Sequence, residues 1–131
     1  MSTVDRNHSI LTIDGGDDFC EELFLLLNES GFSVRSVSDI HHVRALLDEQ
    51  DFDLVILGTP LYFTDEAMNR VATTVVQLGI TDGAAPPLAI LTYEPIFARD
   101  DRAVPGVTAI SLYDFEIDRF LGAIRRAIGD N

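Results

Sequence analysis

Five short apolar runs alternate along the chain with segments of helical period, and this alternation limits the fold more than any other feature. The runs are ILTI at 10–13, FSVRSV at 32–37, LVIL at 54–57, LAIL at 88–91 and VTAISL at 107–112. Runs this short, rich in Ile, Leu and Val, read as strands; three look buried on both faces, and FSVRSV alternates as an edge strand should. Repeated strand–helix units call for a parallel sheet with right-handed crossovers and helices on both faces. At about 20 to 25 residues per unit, the economical solution is a small doubly wound α/β domain. We expect a flavodoxin-like three-layer sandwich, a five-stranded parallel sheet of order 2-1-3-4-5 with five helices. That order opens a crevice at the carboxyl ends of strands one and three, here Asp14 and Gly58.

The helical segments carry their own punctuation. Residues 17–30 place Phe19, Leu23, Leu26 and Leu27 at three- and four-residue steps and stop at Gly31, a residue suited to follow a helix end. Residues 39–50 follow Ser38 as N-cap, with Ile40, Val43, Leu46 and Leu47 on one face. Thr64 precedes DEAMNRVATTVVQLG, whose Asp65 and Glu66 suit the positive end of a helix and whose Gly79 suits its finish. Residues 94–106 hold two prolines, leaving room for a helix of about two turns. The last helix, 116–128, aligns Ile117, Phe120, Leu121, Ile124 and Ile128, with Arg125 and Arg126 near its negative end.

A chain of 131 residues fits one domain. We set it at 9–129, behind a flexible leader of residues 1–8. No apolar run approaches membrane-spanning length and the N-terminus lacks a signal peptide's apolar core, which points to the cytoplasm. The single Cys20 has no partner for an internal bridge, in keeping with a reducing compartment, and its apolar neighbours make it core filler. The net charge is −13, and all nine cations are arginine. Such a charge repels phosphate backbones and anionic lipid, so neither nucleic acid nor membrane is expected as a partner. An acidic surface without lysine is also what salt adaptation of the host produces. His41 and His42 are adjacent and diverge by about 100° on a helix, unlike a one-turn ligand pair, and no metal site is assigned.

The stretches SILTIDGGDDF, DLVILGTPLYFTDE, LAILTYEP and ISLYDFEIDRFLGAIRRAI together resemble the receiver domain of two-component response regulators, in order and over nearly the whole chain. In that family two acids after the first strand and an aspartate after the third hold Mg²⁺, and the third-strand aspartate accepts the phosphoryl group. A Thr or Ser after the fourth strand and a Lys after the fifth bind the phosphoryl oxygens. The residue types follow from the chemistry: a hard cation takes carboxylate oxygens, an acyl phosphate needs a carboxylate nucleophile, and the added charge needs hydroxyl and cationic donors.

Matched position by position, the resemblance keeps Asp14 as the first acid and Thr92 as the hydroxyl. Gly15 stands at the second acid, Gly58 at the acceptor and Tyr113 at the lysine. Tyr93 fills the gate beside the hydroxyl and Ile110 the aromatic switch, while the proline expected four places past the acceptor has moved to Pro60. Without a nucleophile no acyl phosphate forms. The resemblance therefore implies a pseudo-receiver: not an enzyme, without cofactor save weak Mg²⁺ binding through water, and acting in signal transduction by binding a signalling protein or a second copy of itself through residues 94–128. The other readings are a small-ligand-binding flavodoxin-like domain and residual phosphorelay through Asp14 or Asp17. Asp14 suits either a remnant ligand or a turn, whereas Asp17 and Asp18 suit the cap and first turn of a helix better than substitute ligands, which would need a local shift. Tyr113 would either plug the phosphoryl pocket or cover the sheet end, and Tyr62, Phe63, Ile96 and Phe97, in or near the crevice loops, would either pack inward or serve a partner.

Overall fold

The computed structural model describes residues 8–61, 64–78, 86–94 and 107–129. Its elements run β1 (Ser9–Asp14), α1 (Asp18–Glu29), β2 (Ser33–Val37), α2 (Ile40–Glu49), β3 (Leu54–Leu61), α3 (Asp65–Leu78), β4 (Leu88–Thr92), β5 (Val107–Ser111) and α4 (Ile117–Ile128). The sheet is parallel throughout, in the order β2-β1-β3-β4-β5. This is the expected flavodoxin-like arrangement, with four helices among the described residues. The short helix expected at 94–106 falls almost wholly outside them, as do Gly79, Tyr62, Phe63, Ile96, Phe97 and the leader up to residue 7.

Two apolar layers hold the sheet. On one face Ile10, Leu54, Ile56, Ala89, Leu91 and Ile110 meet Leu23, Phe24 and Leu27 of α1 and Phe120 and Ile124 of α4. On the other, Leu11, Ile13, Val55, Leu88 and Ile90 meet Val43 and Leu46 of α2 and Val71 of α3. Alternate residues of β1, β3 and β4 thus serve opposite layers, which is why those strands read as unbroken apolar runs. Cys20 lies buried in the first layer.

Local chemistry sets the helix ends. Asp17 caps α1 by accepting from Cys20 N at 3.0 Å, and Gly31 follows the helix at φ +100°. The cap of α2 is Asp39, which accepts from His41 N at 2.9 Å, and not Ser38. Both residues are good caps, and the shorter Asx geometry one position later wins. Thr64 caps α3, accepting from Ala67 N at 3.1 Å. In α4 the apolar stripe starts late: Ile117 is 49% exposed while Phe120 and Ile124 are buried. His8 is tied to the sheet rather than loose, its carbonyl accepting from Ser33 N at 2.9 Å and its Nδ1 lying 3.5 Å from Asp53.

β3 differs most from expectation. It continues past Leu57 to Leu61, and its register against β4 slips between Leu57↔Ile90 and Leu61↔Thr92. Four steps along β3 therefore face two along β4. Pro60, which has no N–H for a ladder, falls inside that irregular stretch, where a proline is tolerated.

Candidate functional site

The carboxyl ends of β1, β3, β4 and β5 bring together Asp14, Gly15, Gly58, Thr92 and the residues after Ser111. Asp14 and Gly58 are direct partners in the β1–β3 ladder, and Thr92 pairs with Ser111 across β4–β5. The sheet register thus gathers them along the carboxyl edge of the sheet, where this topology opens its crevice.

The β1–β3 half of that crevice is filled. A Cβ placed on Gly58 would collide with the carbonyl oxygen of Ile13 and stand 3.0 Å from Cζ and 3.2 Å from Cε2 of Phe24. Phe24 is buried on the sheet-facing side of α1, in the row Cys20, Phe24, Leu27. Its ring can turn; the Ile13 carbonyl is backbone and moves only if β1 and β3 part. A side chain at 58 is therefore excluded by main chain first and by an aromatic ring second. Gly15 repeats the pattern: a Cβ there would run into Thr59 Oγ1 and lie 2.9 Å from Thr59 Cβ.

Asp14 is the one carboxylate left at a matched position, and its Oδ1 accepts from Gly16 N at 2.8 Å. Gly16 sits at φ +82°, a conformation glycine adopts without steric cost, so the pair forms a tight side-chain-closed turn. Asp17, the other acid weighed for residual chemistry, is committed to the α1 cap. A divalent cation would need two or three carboxylates converging on one point. Gly15 and Gly58 offer none, their side-chain space is taken, and among the described residues no three His, Cys, Asp or Glu gather around a common point. The donor set does not fit Mg²⁺.

The β4–β5 half is cross-tied by hydroxyls. Thr92 is fully buried, and its Oγ1 accepts from Glu94 N at 3.1 Å, closing the turn after β4. Ser111 Oγ donates to Glu94 O at 2.7 Å and accepts from Tyr113 N at 3.1 Å. One serine so joins the two loops. Tyr93 is 37% exposed and stacks on Phe19 of α1 with ring centroids 6.5 Å apart. Ile110 is a core residue at 3% exposure, wedged in the α1–α4 layer, a placement unlike that of a side chain that swings between buried and exposed positions.

Tyr113 does not plug the crevice. It is 61% exposed and lines, with Phe115, Arg119 and Arg126, a cleft of about 330 Å³ on the β5–α4 flank. The plug reading is corrected because the turn at 113–114, with Asp114 at φ +52°, leads the chain out over that flank. Under the crevice, the Cys20 thiol is pushed up to about 12, chiefly by burial and then by the charge and hydrogen bond of Asp17. It is a packing group without nucleophilic character.

The sequence reading missed Phe24, Thr59 and Ser111. Phe24 was legible in part, since Cys20, Phe24 and Leu27 recur at four- and three-residue steps. Thr59 and Ser111 gave no signal, because their roles depend on how far β3 extends and how β5 registers on β4.

No protein-family model and no curated protein matches the sequence. Solved structures do match. The signal receiver domain of an HD domain-containing protein from Pseudomonas fluorescens Pf-5 is 22% identical with a TM-score of 0.65, covering 98% of this chain and 92% of that one. The chemotaxis protein CheY4 of Vibrio cholerae is 17% identical with a TM-score of 0.62, covering 92% and 98%. The response regulator TrrA of Thermotoga maritima, solved in complex with the histidine kinase ThkA, is 14% identical with a TM-score of 0.58, covering 92% and 97%. The chain has the receiver-domain fold over nearly its whole length.

Proposed function

We propose that this chain is a pseudo-receiver, a signalling module that works by binding another protein and takes no phosphoryl group. One observation carries the reading: at residue 58, where the fold would present the acceptor carboxylate, the space is occupied by the Ile13 carbonyl and the Phe24 ring. A substitution that merely lost the carboxylate would leave a vacant pocket, whereas here the pocket is packed. Thr92, the matched hydroxyl, already serves the turn at Glu94, and the cation position holds an outward-facing tyrosine. Nucleophile, metal set and cation are all missing from the matched positions, which supports reading the module as one that binds without catalysing.

Output then rests on shape. The neighbours are signalling receivers, one of them solved with its histidine kinase. That supports a protein partner for this chain, met through the region 94–128, of which β5, the 113–116 turn and α4 are described. A packed crevice also weighs against the small-ligand reading. The test is incubation of the purified chain with Mg²⁺ and radiolabelled acetyl phosphate. We expect no label in the protein; stable, stoichiometric incorporation would overturn the proposal.

A further inference from the structure

The cleft of about 330 Å³ on the β5–α4 flank is lined by neither Asp14 nor Gly58 and is separate from the packed crevice. Ala109 of β5 and Ala123 of α4 are short, which leaves the space between strand and helix open. Arg119, Ala123 and Arg126 follow one another at four- and three-residue steps, so both arginines lie on the helix face that borders the cleft. Aromatic surface comes from the turn before the helix. Tyr113 is 61% exposed, and its backbone is held at the cleft by N–H donation to Ser111 Oγ at 3.1 Å. Asp114 and Glu116 add two carboxylates to the lining.

Arg126 stands out among these groups. In a chain with 22 acids and nine arginines, an arginine without a carboxylate is the unexpected case. Arg70 is paired with Glu66 and Arg119 with Glu116, whereas Arg126 has no hydrogen-bond or ion-pair partner among the described residues. Its guanidinium lies back along the helix, with Nη1 3.8 Å from where a Cβ on Gly122 would stand, one turn nearer Arg119. The groove of about 350 Å³ between α1 and β2 is the opposite case: its lining holds Asp14 and Glu21 and no arginine. Of the two, the α4 side offers donors to an anion.

From these groups we infer that the β5–α4 cleft binds a nucleoside monophosphate. Arg126 meets the phosphate with an unpaired fork of donors, and Arg119, whose tie to Glu116 is exposed and 3.4 Å long, turns to share it. The exposed Tyr113 ring gives the base a face to stack on. Asp114 and Glu116 accept from ribose hydroxyls or base amino groups, a role that a bare phosphate leaves empty. The volume is at the lower end of ligand pockets, which suits one base, one sugar and one phosphate. A polynucleotide remains disfavoured, since phosphates reaching past the arginines meet the acidic surface. The net charge does not forbid the single phosphate, because charges beyond about 8 Å are screened at 0.15 M salt. The cleft is built from β5, the 113–116 turn and α4, part of the surface proposed above for the protein partner, so its occupant serves as an input that replaces phosphorylation. That consequence rests on the pseudo-receiver reading; the binding itself does not.

The test is a titration of the ¹⁵N-labelled full chain, without acetyl phosphate, with AMP, GMP, CMP and UMP in turn, and with inorganic phosphate and phenyl phosphate as probes of the parts. We expect at least one mononucleotide to give saturable amide shifts centred on residues 109–126, with a Kd of about 10 µM to 1 mM. Inorganic phosphate and phenyl phosphate should bind at least ~10-fold more weakly. Arg126→Gln breaks no contact and should weaken binding at least ~10-fold, and Tyr113→Ala about 5-fold or more. Arg70→Gln on α3 should leave it unchanged. Spectra of the ligand-free variants that overlay the wild type outside residues 109–126 show that both are folded. No saturable shift with any of the mononucleotides up to about 10 mM would overturn the inference. So would inorganic phosphate binding as tightly as the nucleotide, phenyl phosphate doing the same, or an Arg126→Gln variant that binds like the wild type. Each of these leaves the acetyl-phosphate result untouched, and label from acetyl phosphate would defeat the earlier proposal without touching this one.

Discussion

The two halves of the crevice have been closed by different physics. Around β1 and β3 the closure is steric: two glycines whose missing side chains are replaced by a backbone carbonyl, the Phe24 ring and Thr59. Around β4 and β5 it is polar: Thr92 and Ser111 bind the main chain of Glu94 and Tyr113 across adjacent loops. Close packing answers to volume and tolerates almost no added atom, while a hydrogen-bonded turn answers to donor and acceptor count and tolerates loss of one partner at modest cost. The first half should therefore be brittle and the second forgiving.

The largest break is expected at Gly58→Asp. It forces a carboxylate into a buried, main-chain-lined space, and we expect a loss of about 3–5 kcal/mol in urea unfolding with no gain of acetyl-phosphate labelling. A stable, labelled Gly58→Asp would show that the first half is merely disarmed. Phe24→Ala removes the ring itself and should cost about 3 kcal/mol through lost burial and the cavity left behind. A cost below about 1 kcal/mol would mean that the ring is loosely held. In the second half Ser111→Ala should cost only about 1 kcal/mol, seen as faster amide exchange in the Glu94 and Tyr113 loops. Tyr113→Ala, at an exposed position, should stay within about 0.5 kcal/mol of wild type.

Cys20 sharpens the contrast from below the steric half. With the thiol held near 12 in the folded protein against 9.0 unfolded, its contribution to stability is complete below pH 9 and is lost as pH rises from 9 toward 12. Cys20→Ala should flatten that alkaline decline. Iodoacetamide should leave the native wild-type thiol unmodified at pH 8 and label it once urea unfolds the chain.

How far the sequence could lead follows the same division. Strand positions and the order of the sheet were legible because fully buried strands must be unbroken apolar runs and short helical crossovers leave few topologies. That Asp14 and Gly58 end neighbouring strands was legible too, and the two do meet across β1–β3. What fills the crevice was not. Gly58 reads as an absence, and only the register of β1 on β3, with Phe24 facing inward from α1, reveals that the absence is occupied. The extension of β3 through Gly58, Thr59 and Pro60 reads as loop by propensity, and pairing with β4 beyond the bulge overrides it. Ile117 was misplaced, and Tyr113 left open between two places, for one reason: an apolar or aromatic residue at the start of an element does not announce which side of the turn it will take.

The central claim is that this crevice is packed shut and reads no phosphoryl signal. Titrating the ¹⁵N-labelled wild-type chain with Mg²⁺ and beryllofluoride, with amide shifts followed residue by residue, tests it most directly. The account predicts only small, non-saturating shifts spread over the acidic surface. Saturable shifts clustered at residues 14, 58 and 92 would contradict it.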